Sequence, residues 1–257
     1  MAFKLKSPRE IELMRDAGRL VHEVLVAMAQ MAAPGVTTAE LDRLAERMCQ
    51  DAGAQCLFKG VPGAGGPFPG NICCSINEQV VHGIPGPRQI AAGDLVSLDF
   101  GVRLHGYCGD AATTLEIGPV DEQLHLLVET TREALDIAIR MAAPGVRWSQ
   151  VAAAMQKRAE DRGFGVVRQF VGHGIGTEMW EDPKLPNFVS AALLKNDIVL
   201  RKGMVLAVEP MVNLGTAEVR ILEDGWTVVT KDAKPSAHFE HMLAITDDGV
   251  DVLTDGR

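Results

Sequence analysis

The sequence predicts an α+β protein built from two similar halves around a mainly antiparallel sheet. Two observations lead to this fold class. Two segments recur at one shared offset of 110 residues, and helical and strand-like segments come in separate blocks. Separate blocks are typical of α+β proteins, whereas strict alternation of strand and helix is typical of parallel sheets.

The repeat consists of two matched pairs of segments. Met-Ala-Ala-Pro-Gly-Val at residues 31–36 returns at 141–146, and residues 93–99 (Gly-Asp-Leu-Val-Ser-Leu-Asp) align with 203–209 (Gly-Met-Val-Leu-Ala-Val-Glu). Two copies are too few for a solenoid. We therefore expect one domain over residues 1–257, with halves of about 1–118 and 119–257 related by a pseudo-two-fold axis. Asp99 and Glu209 would be equivalent and lie near that axis.

Local signals place the elements of the first half. Ser7, Pro8 and Glu10 form a capping-box pattern that predicts a helix to about Met31, and Thr37 opens a second helix that ends before Gly53. Glycine and proline fill the segment that follows, which predicts a loop. The predicted loop spans residues 60–70, and the predicted strands span 71–75, 95–100 and 107–117.

The second half repeats this order. Helices are predicted at about 121–141 and 149–162. Strands are predicted at 166–171, 205–208, 218–222, 227–230 and 238–245.

Composition excludes several classes of protein. The chain has 257 residues, 34 acidic against 25 basic side chains, a net charge of -9 and one tyrosine, which argues against nucleic acid as a substrate. No apolar run approaches the ~18–20 residues that a membrane span requires. The five cysteines are odd in number and include no C-x-x-C pair, which favours a reducing compartment. We expect a cytoplasmic protein without a membrane segment.

Four acids stand in apolar, strand-like segments. They are Asp99, Asp110, Glu209 and Glu240. A carboxylate in such surroundings is costly to desolvate unless it is paired, protonated or bound to metal. A salt bridge or exposure at a strand end would explain any one of them, but few basic residues lie in these segments. The four together favour a metal site.

Asp99 and Asp110 would face each other if the chain between them formed a hairpin centred on Leu104 and His105. Opposite residues of antiparallel strands share a face, with Cβ atoms about 5 Å apart. Two ionised carboxylates at that distance repel each other, and a divalent cation would relieve the repulsion. Oxygen-rich ligation with one or two imidazoles suits Mn, Fe(II), Co or Zn.

Two of the seven histidines differ from the others. His82 and His173 each precede Gly-Ile, and His173 is flanked by glycines that allow close approach of the backbone to a site. On the residues alone, each is either functional or a buried structural histidine.

Six ordered segments resemble the signature segments of the type I methionine aminopeptidases, and the similarity covers essentially the whole chain. These are residues 77–85 (Asn-Glu-Gln-Val-Val-His-Gly-Ile-Pro), 97–101 (Ser-Leu-Asp-Phe-Gly), 106–110 (Gly-Tyr-Cys-Gly-Asp), 172–176 (Gly-His-Gly-Ile-Gly), 208–211 (Val-Glu-Pro-Met) and 239–241 (Phe-Glu-His). The resemblance implies the two-halved pita-bread fold, which agrees with the repeat.

The resemblance also implies a site with two divalent metal ions. Asp110 and Glu240 would bridge the ions, Asp99 would bind one ion, and His173 and Glu209 the other. His82 matches a substrate-contacting histidine and Glu209 a proton acceptor, so both are expected to be catalytic. The expected pocket for a methionine side chain consists of Phe68, Cys73, Met211 and Trp226.

Two departures from the family pattern concern the substrate side of the site. Trp180 stands where the family normally has a second catalytic histidine, which contacts the scissile peptide. Trp180 can donate a hydrogen bond but cannot transfer a proton, and loss of such a donor lowers rates about 10²- to 10³-fold. The loop at residues 60–70 is longer than usual and lacks an aromatic-histidine pair, which would alter the pocket rim.

The implied activity is removal of the N-terminal methionine from nascent chains, with a small second residue preferred. Nascent N-termini would be the partners, with the ribosome as a candidate location, and the chain would be a monomer. Two alternatives remain open at this point. One is an X-Pro aminopeptidase or prolidase, which usually carries an additional N-terminal domain. The other is a metal-free binding protein that kept the fold.

Overall fold

The computed structural model describes residues 3–257. Its long helices form two pairs, one in each half of the chain. The first two residues of the predicted domain lie outside the described residues. The helices are α1 (Pro8–Met31), α2 (Thr38–Asp51), α3 (Glu122–Met141), α4 (Trp148–Glu160) and the short α5 (Ala191–Lys195). No helix within residues 3–257 combines the length and the apolar character needed to cross a bilayer.

The strands form four sheets, and every strand pairing within residues 3–257 is antiparallel. The strands are β1 (Gln55–Cys56), β2 (Cys73–Ile76), β3 (Gln79–Val81), β4 (Leu95–Leu104), β5 (Tyr107–Glu116), β6 (Gly165–Val166), β7 (Gly172–Gly174), β8 (Glu181–Leu185), β9 (Val205–Val208), β10 (Met211–Asn213), β11 (Val219–Ile221), β12 (Val228–Thr230), β13 (Ser236–His238), β14 (His241–Ile245) and β15 (Val250–Val252). This confirms the predicted α+β class. The single sheet that the sequence predicts is instead divided. β4 pairs with β1 and β2 along one edge and with β5 along the other, whereas β9 and β14 belong to a separate five-stranded sheet.

Helix starts follow the predicted caps. The backbone N–H of Ser7 donates to Glu10 Oε2 at 2.7 Å, and that of Thr37 donates to Glu40 Oε2 at 2.8 Å. These bonds satisfy backbone donors that the first turn leaves unpaired. The predicted loop at residues 60–70 contains neither helix nor strand.

The hairpin between Asp99 and Asp110 turns one residue later than predicted. Its two-residue turn is His105–Gly106, with φ of 52° and 83°, because a turn of this kind needs positive φ at both positions and glycine adopts it freely. Asp110 therefore pairs with Gly101, and Asp99 with Ala112. The predicted direct opposition of the two acids was wrong. The shift is by two residues, so both acids keep the same face as diagonal neighbours, about 7–8 Å apart.

Two predicted strands in the second half were wrong in extent. The segment 166–171 ends its strand at Val166, and the next strand is β7. The segment 238–245 is broken between β13 and β14 at Phe239 and Glu240. Glu240 instead forms an isolated bridge with Ala112 of β5, with N···O distances of 2.9 and 3.3 Å. Pairing across the halves thus interrupts the regular ladder.

Equivalent hydrogen bonds occur in both halves at the 110-residue offset. The N–H of Gly35 donates to Ile90 O at 2.8 Å, and that of Gly145 donates to Leu200 O at 2.9 Å. The N–H of Ile90 donates to Val36 O at 2.8 Å, just as that of Leu200 donates to Val146 O at 2.9 Å. This correspondence supports the proposed division of one domain into two related halves.

Each half has its own apolar core against its helix pair. One core joins α1 and α2 to β4 and β5, and the other joins α3 and α4 to β9 and β14. The halves are linked through β5, where Thr114 Oγ1 accepts from the N–H of His238 and donates to its carbonyl, both at 2.8 Å. The segment that carries Glu240 is therefore held directly against the strand that carries Asp110.

Candidate metal and substrate site

One cavity brings together ten of the eleven residues predicted for the site. The cavity is lined by Phe68, Cys73, His82, Asp99, Asp110, His173, Trp180, Glu209, Trp226 and Glu240, together with Phe58 and Val61. The acids come from both halves of the chain, and His173 comes from the second half.

The four acids occupy strands or strand ends at the junction between the halves. Asp99 lies within β4 and Asp110 within β5, whereas Glu209 directly follows β9. Glu240 is placed by its bridge to β5. The side chains of Asp110 and Glu240 are almost fully buried, and the side-chain amide of Asn187 donates to the backbone carbonyl of Glu209 at 3.0 Å. Strand pairing or a hydrogen bond therefore fixes the backbone at each acid.

His173 occupies β7, between β8 and β9. A Cβ atom at Gly172 would lie 2.4 Å from Ala207 O, and one at Gly174 would lie 2.3 Å from Asp182 O. The flanking glycines are thus required for close strand packing. The Nδ1 atom of His173 lies 3.0 Å from Gly174 O, and because a carbonyl only accepts, Nδ1 carries the proton. The lone pair of Nε2 is left facing the acids.

The ligand-type atoms of the cluster lie close together. His173 Nε2 is 3.8 Å from Asp110 Oδ2 and 3.6 Å from Glu209 Oε1. One ligand atom from each of Asp110, His173 and Glu240 lies within 4.8 Å of the others. This spacing is compatible with ligands that share a metal ion, since bonds from nitrogen and oxygen to such metals are about 2.0–2.2 Å.

Burial and mutual repulsion raise the pKa of the carboxyl groups. Burial raises the pKa of Asp99 to about 7. The pKa values of Asp110 and Glu240 lie well above the usual range, first through burial and then through the neighbouring negative charges. Burial and the charge of Asp99 raise the pKa of Glu209 in the same direction. The pocket opposes the simultaneous ionisation of these groups without a compensating cation.

The histidines at the site are shifted toward the neutral form. Burial lowers the pKa of His173 and of His82 to about 4. Neutral imidazole is the form that binds metal, and it also donates one hydrogen bond. Neither histidine can neutralise the carboxylates at ordinary pH.

The residues fit a group of divalent metal ions. The buried oxygens Asp99 Oδ1, Asp110 Oδ1 and Glu240 Oε1 have no hydrogen-bond partner. Within residues 3–257, no lysine or arginine forms an ion pair with any of the four acids. Orphaned buried carboxylate oxygens with one neutral imidazole are the donor set that hard or borderline divalent metals take.

An apolar wall faces the acids across the cavity. The rings of Phe68 and Trp226 meet edge to face with centroids 5.1 Å apart, and the indole N–H of Trp226 donates to Gly66 O at 3.0 Å. Cys73, paired with Asp99 in the β2–β4 ladder, is also on the lining. The loop at residues 60–70 therefore holds Trp226 in place, which the sequence did not indicate.

Two predicted pocket residues occupy unexpected places. Trp180 lies on the cavity lining but is 49% exposed, so it stands at the mouth. Met211 is fully buried in a separate apolar cluster with Val80 and Val228, and it is not on the cavity lining. Its assignment to the pocket stays a prediction without support from this geometry.

His238 is the site residue that the sequence reasoning missed. It is 2% exposed, and its Nε2 lies 3.9 Å from Glu209 Oε2. Burial and the neighbouring His82 lower its pKa to about 3. The available signal was its position two residues before Glu240, since alternate residues of an extended segment point to the same face.

Comparison with known protein families identifies the chain as a metallopeptidase. Residues 12–247 match metallopeptidase family M24. The chain belongs to this family.

Individual relatives narrow the similarity further. The chain is 45% identical to methionine aminopeptidase 1 of Bacillus subtilis, over 97% of this chain and 98% of that protein. It is 41% identical to a methionine aminopeptidase of Thermotoga maritima whose crystal structure superposes with a TM-score of 0.92, covering 98% of this chain and 99% of the other.

More distant structures share the fold alone. An Xaa-Pro dipeptidase from Bacillus anthracis is 23% identical with a TM-score of 0.77, and the match covers 98% of this chain and 62% of that one.

Taken together, the family match and these relatives confirm the pita-bread fold and the resemblance to methionine aminopeptidases. The protein is a metal-dependent aminopeptidase.

Proposed function

We propose that this enzyme removes the N-terminal methionine from nascent proteins and peptides. The single observation that carries the proposal is the cluster of four buried acids and His173 facing an apolar wall in one cavity. The names of the relatives support the same substrate, because they are methionine aminopeptidases at 41–45% identity.

The proposed ligand set uses all five residues for two divalent metal ions. Asp110 and Glu240 would be shared between the ions, Asp99 would serve one ion, and His173 and Glu209 the other. The short distances among Asp110, His173 and Glu240 support this assignment. Mn, Fe(II), Co and Zn all suit such donors.

In the proposed reaction, Glu209 accepts the proton of the attacking water and passes it to the leaving amine. His82, neutral because of burial, donates a hydrogen bond to the oxygen of the scissile carbonyl. When bound, the metal ions would lower the pKa of water and polarise that carbonyl. Hydrolysis of the Met–Xaa bond then needs no protein nucleophile.

The proposed methionine pocket is the apolar wall of Phe68, Cys73 and Trp226, extended by Phe58 and Val61. Aromatic rings and sulfur pack well with a thioether side chain. Trp180 at the mouth adds bulk where the second residue of the substrate would pass, which supports a preference for a small second residue.

The proposed setting is the cytoplasm, with nascent N-termini as partners, the ribosome as a candidate location and the chain as a monomer. All five cysteines are free thiols, which supports a reducing compartment.

Replacement of Asp110 tests the proposal. Asp110→Asn keeps the side-chain shape but removes a charged ligand, and Asp110→Ala removes the ligand entirely. Both should abolish metal binding and cleavage of a Met-Ala-Ser peptide, measured by metal analysis and by methionine release. The matched control is Asp248→Asn, which alters an exposed acid and should leave both unchanged.

Retained turnover by Asp110→Ala would overturn the proposed site. Cleavage of an Ala-Pro peptide in preference to Met-Ala-Ser would indicate a proline-directed activity instead. A wild-type chain that binds no metal and cleaves neither peptide would indicate a binding protein that kept the fold.

A further inference from the structure

His238 is a buried histidine whose side chain the proposed reaction does not use. It ends β13, and its backbone N–H and carbonyl are both bonded to Thr114 Oγ1 at 2.8 Å. The ring is therefore carried by a strand locked against β5. Its Nε2 is buried and has no hydrogen-bond partner. An unpaired polar atom in such a place is costly unless something engages it in the working enzyme.

The nearest acid to this atom is Glu209. His238 Nε2 lies 3.9 Å from Glu209 Oε2, while His173 Nε2 lies 3.6 Å from Glu209 Oε1. Each oxygen of one carboxylate thus faces one imidazole. No described residue donates a hydrogen bond to either oxygen, although Asn187 anchors the backbone carbonyl of Glu209 at 3.0 Å. The carboxylate has a fixed backbone and no fixed orientation.

We propose that His238 is a positioning residue that donates its Nε2–H to Glu209 Oε2 and so turns Oε1 toward His173 and the candidate metal centre. The inference rests on the proposed function, because it gives Glu209 a role at that centre. A distance of 3.9 Å is about 1 Å beyond a hydrogen bond, a gap that a small rotation of the two side chains closes.

A donor role suits the geometry better than a role as a further metal ligand. His173 Nε2 lies within 4.0 Å of two acids, Asp110 and Glu209, and its Nδ1 proton leaves Nε2 free to bind. His238 Nε2 lies that close to Glu209 alone among the acids of residues 3–257. Carboxylates that bind metal are commonly held by such outer hydrogen bonds, which fix their orientation.

Metal affinity of two variants tests the inference. His238→Leu removes the donor at similar volume, and His238→Gln replaces it with an amide that donates from a similar position. The measurement is chelator competition on the full-length, Mn(II)-loaded enzyme. We expect the Leu variant to lose about 10- to 100-fold in affinity for one of the two ions, and the Gln variant to recover most of that loss.

The matched control is His241→Gln. His241 is a partly buried histidine next to Glu240, and its Nδ1 lies 2.8 Å from Thr254 Oγ1. Its variant should keep wild-type affinity for both ions. Thermal unfolding of all variants separates loss of ligand geometry from loss of fold.

A second readout concerns the proton on the ring. In the Zn(II)-loaded enzyme, ¹⁵N NMR should show His238 Nε2 protonated and Nδ1 unprotonated. An unprotonated or metal-bound Nε2 overturns the inference, as does wild-type affinity in the Leu variant. The proposed function survives both of those results. A wild-type chain that binds no metal overturns the proposed function, and this inference with it.

Discussion

Trp180 is the residue at which we expect this chain to depart from the family pattern. It lies on the lining of the cavity that holds the acids, and about half of its surface is exposed. An exposed indole contributes little to the core, so replacement should change catalysis and leave the fold intact. Its single N–H can donate to a developing oxyanion, but it cannot pass a proton to the leaving amine.

Trp180→His should therefore raise turnover. The change supplies a group that both donates and transfers a proton near the scissile bond, and we expect a gain in kcat of up to about 10²- to 10³-fold. Steady-state kinetics on Met-Ala-Ser measure it, with Trp180→Phe as the control that keeps the ring and removes the N–H. No gain in the His variant would mean that another group already supplies the missing function.

Several candidate site residues could be predicted from the sequence, whereas the position of His238 and the packing of Met211 could not. Asp99, Asp110 and Glu209 were recognisable because a charged side chain at an apolar strand is unusual whatever surrounds it. His238 carried no such signal, since a histidine in an apolar segment is ordinary. Met211 was assigned to the pocket from its place in a motif, but it is absent from the cavity lining and packs in an apolar cluster with Val80 and Val228.

At the scale of elements, a buried ion pair holds β8 beside the mouth of the cavity. Lys6 Nζ lies 2.6 Å from Glu181 Oε2, and the two side chains are 6% and 4% exposed. Burial raises the pKa of Glu181, but the hydrogen bond and charge of Lys6 outweigh it, so the pKa lies below its usual value. Glu181 directly follows Trp180, so this pair also anchors Trp180.

Glu181→Gln should destabilise the fold by about 3–5 kcal/mol, because it leaves the Lys6 ammonium buried without its countercharge. Urea denaturation at neutral pH measures the loss. The double variant Lys6→Met/Glu181→Met removes both charges and should recover most of it. A Gln variant as stable as wild type would show that the pair contributes nothing.

The pH dependence of this pair has a definite sign. Because the folded pKa of Glu181 is lowered, its contribution is present above the unfolded value of about 4.5 and is lost as pH falls through the folded value.

The two strands of the β4–β5 hairpin could be predicted from the sequence, but the register in which they pair could not. Apolar runs on both sides of residues 104–106 predict two strands with a turn between them. The turn position depends on which residues accept positive φ, and Gly106 moved it by one residue. The two acids stayed on one face only because the resulting shift in pairing was even.

At the scale of the whole molecule, the two halves bring four acids into one cavity. Without metal, the repulsion between these carboxylates destabilises the fold. Burial raises the pKa of Asp99 from 3.8 to about 7. Ionisation of this group therefore lowers the stability of the metal-free protein as pH rises over this interval. His82 and His173 act in the opposite direction, since their lowered pKa values make stability rise from about pH 4 to 6.5.

Metal should therefore stabilise the protein more strongly as pH rises from about 6 to 8, across the pKa of about 7 for Asp99. Binding displaces protons from the buried carboxyl groups, whose pKa values are raised, so affinity grows with pH, and saturation at 100 times Kd adds about 2.7 kcal/mol. Thermal unfolding with and without Mn(II) across this range measures the difference. In Asp110→Asn the difference should vanish, and a gap in wild type that is constant with pH would contradict the expectation.

The sequence by itself determined the helix starts, the α+β class, the family and most of the residues that meet in the cavity. Caps, glycines and apolar periodicity act over a few residues, so they can be read without knowing the rest of the chain. Only the tertiary structure decided the hairpin register, the bridge between Ala112 and Glu240, and the approach of His238 to Glu209. The bridge depends on how the two halves pack, because it joins residues more than one hundred positions apart. The hairpin register depends on which residues accept positive φ, and the approach of His238 to Glu209 depends on where the ends of two strands meet.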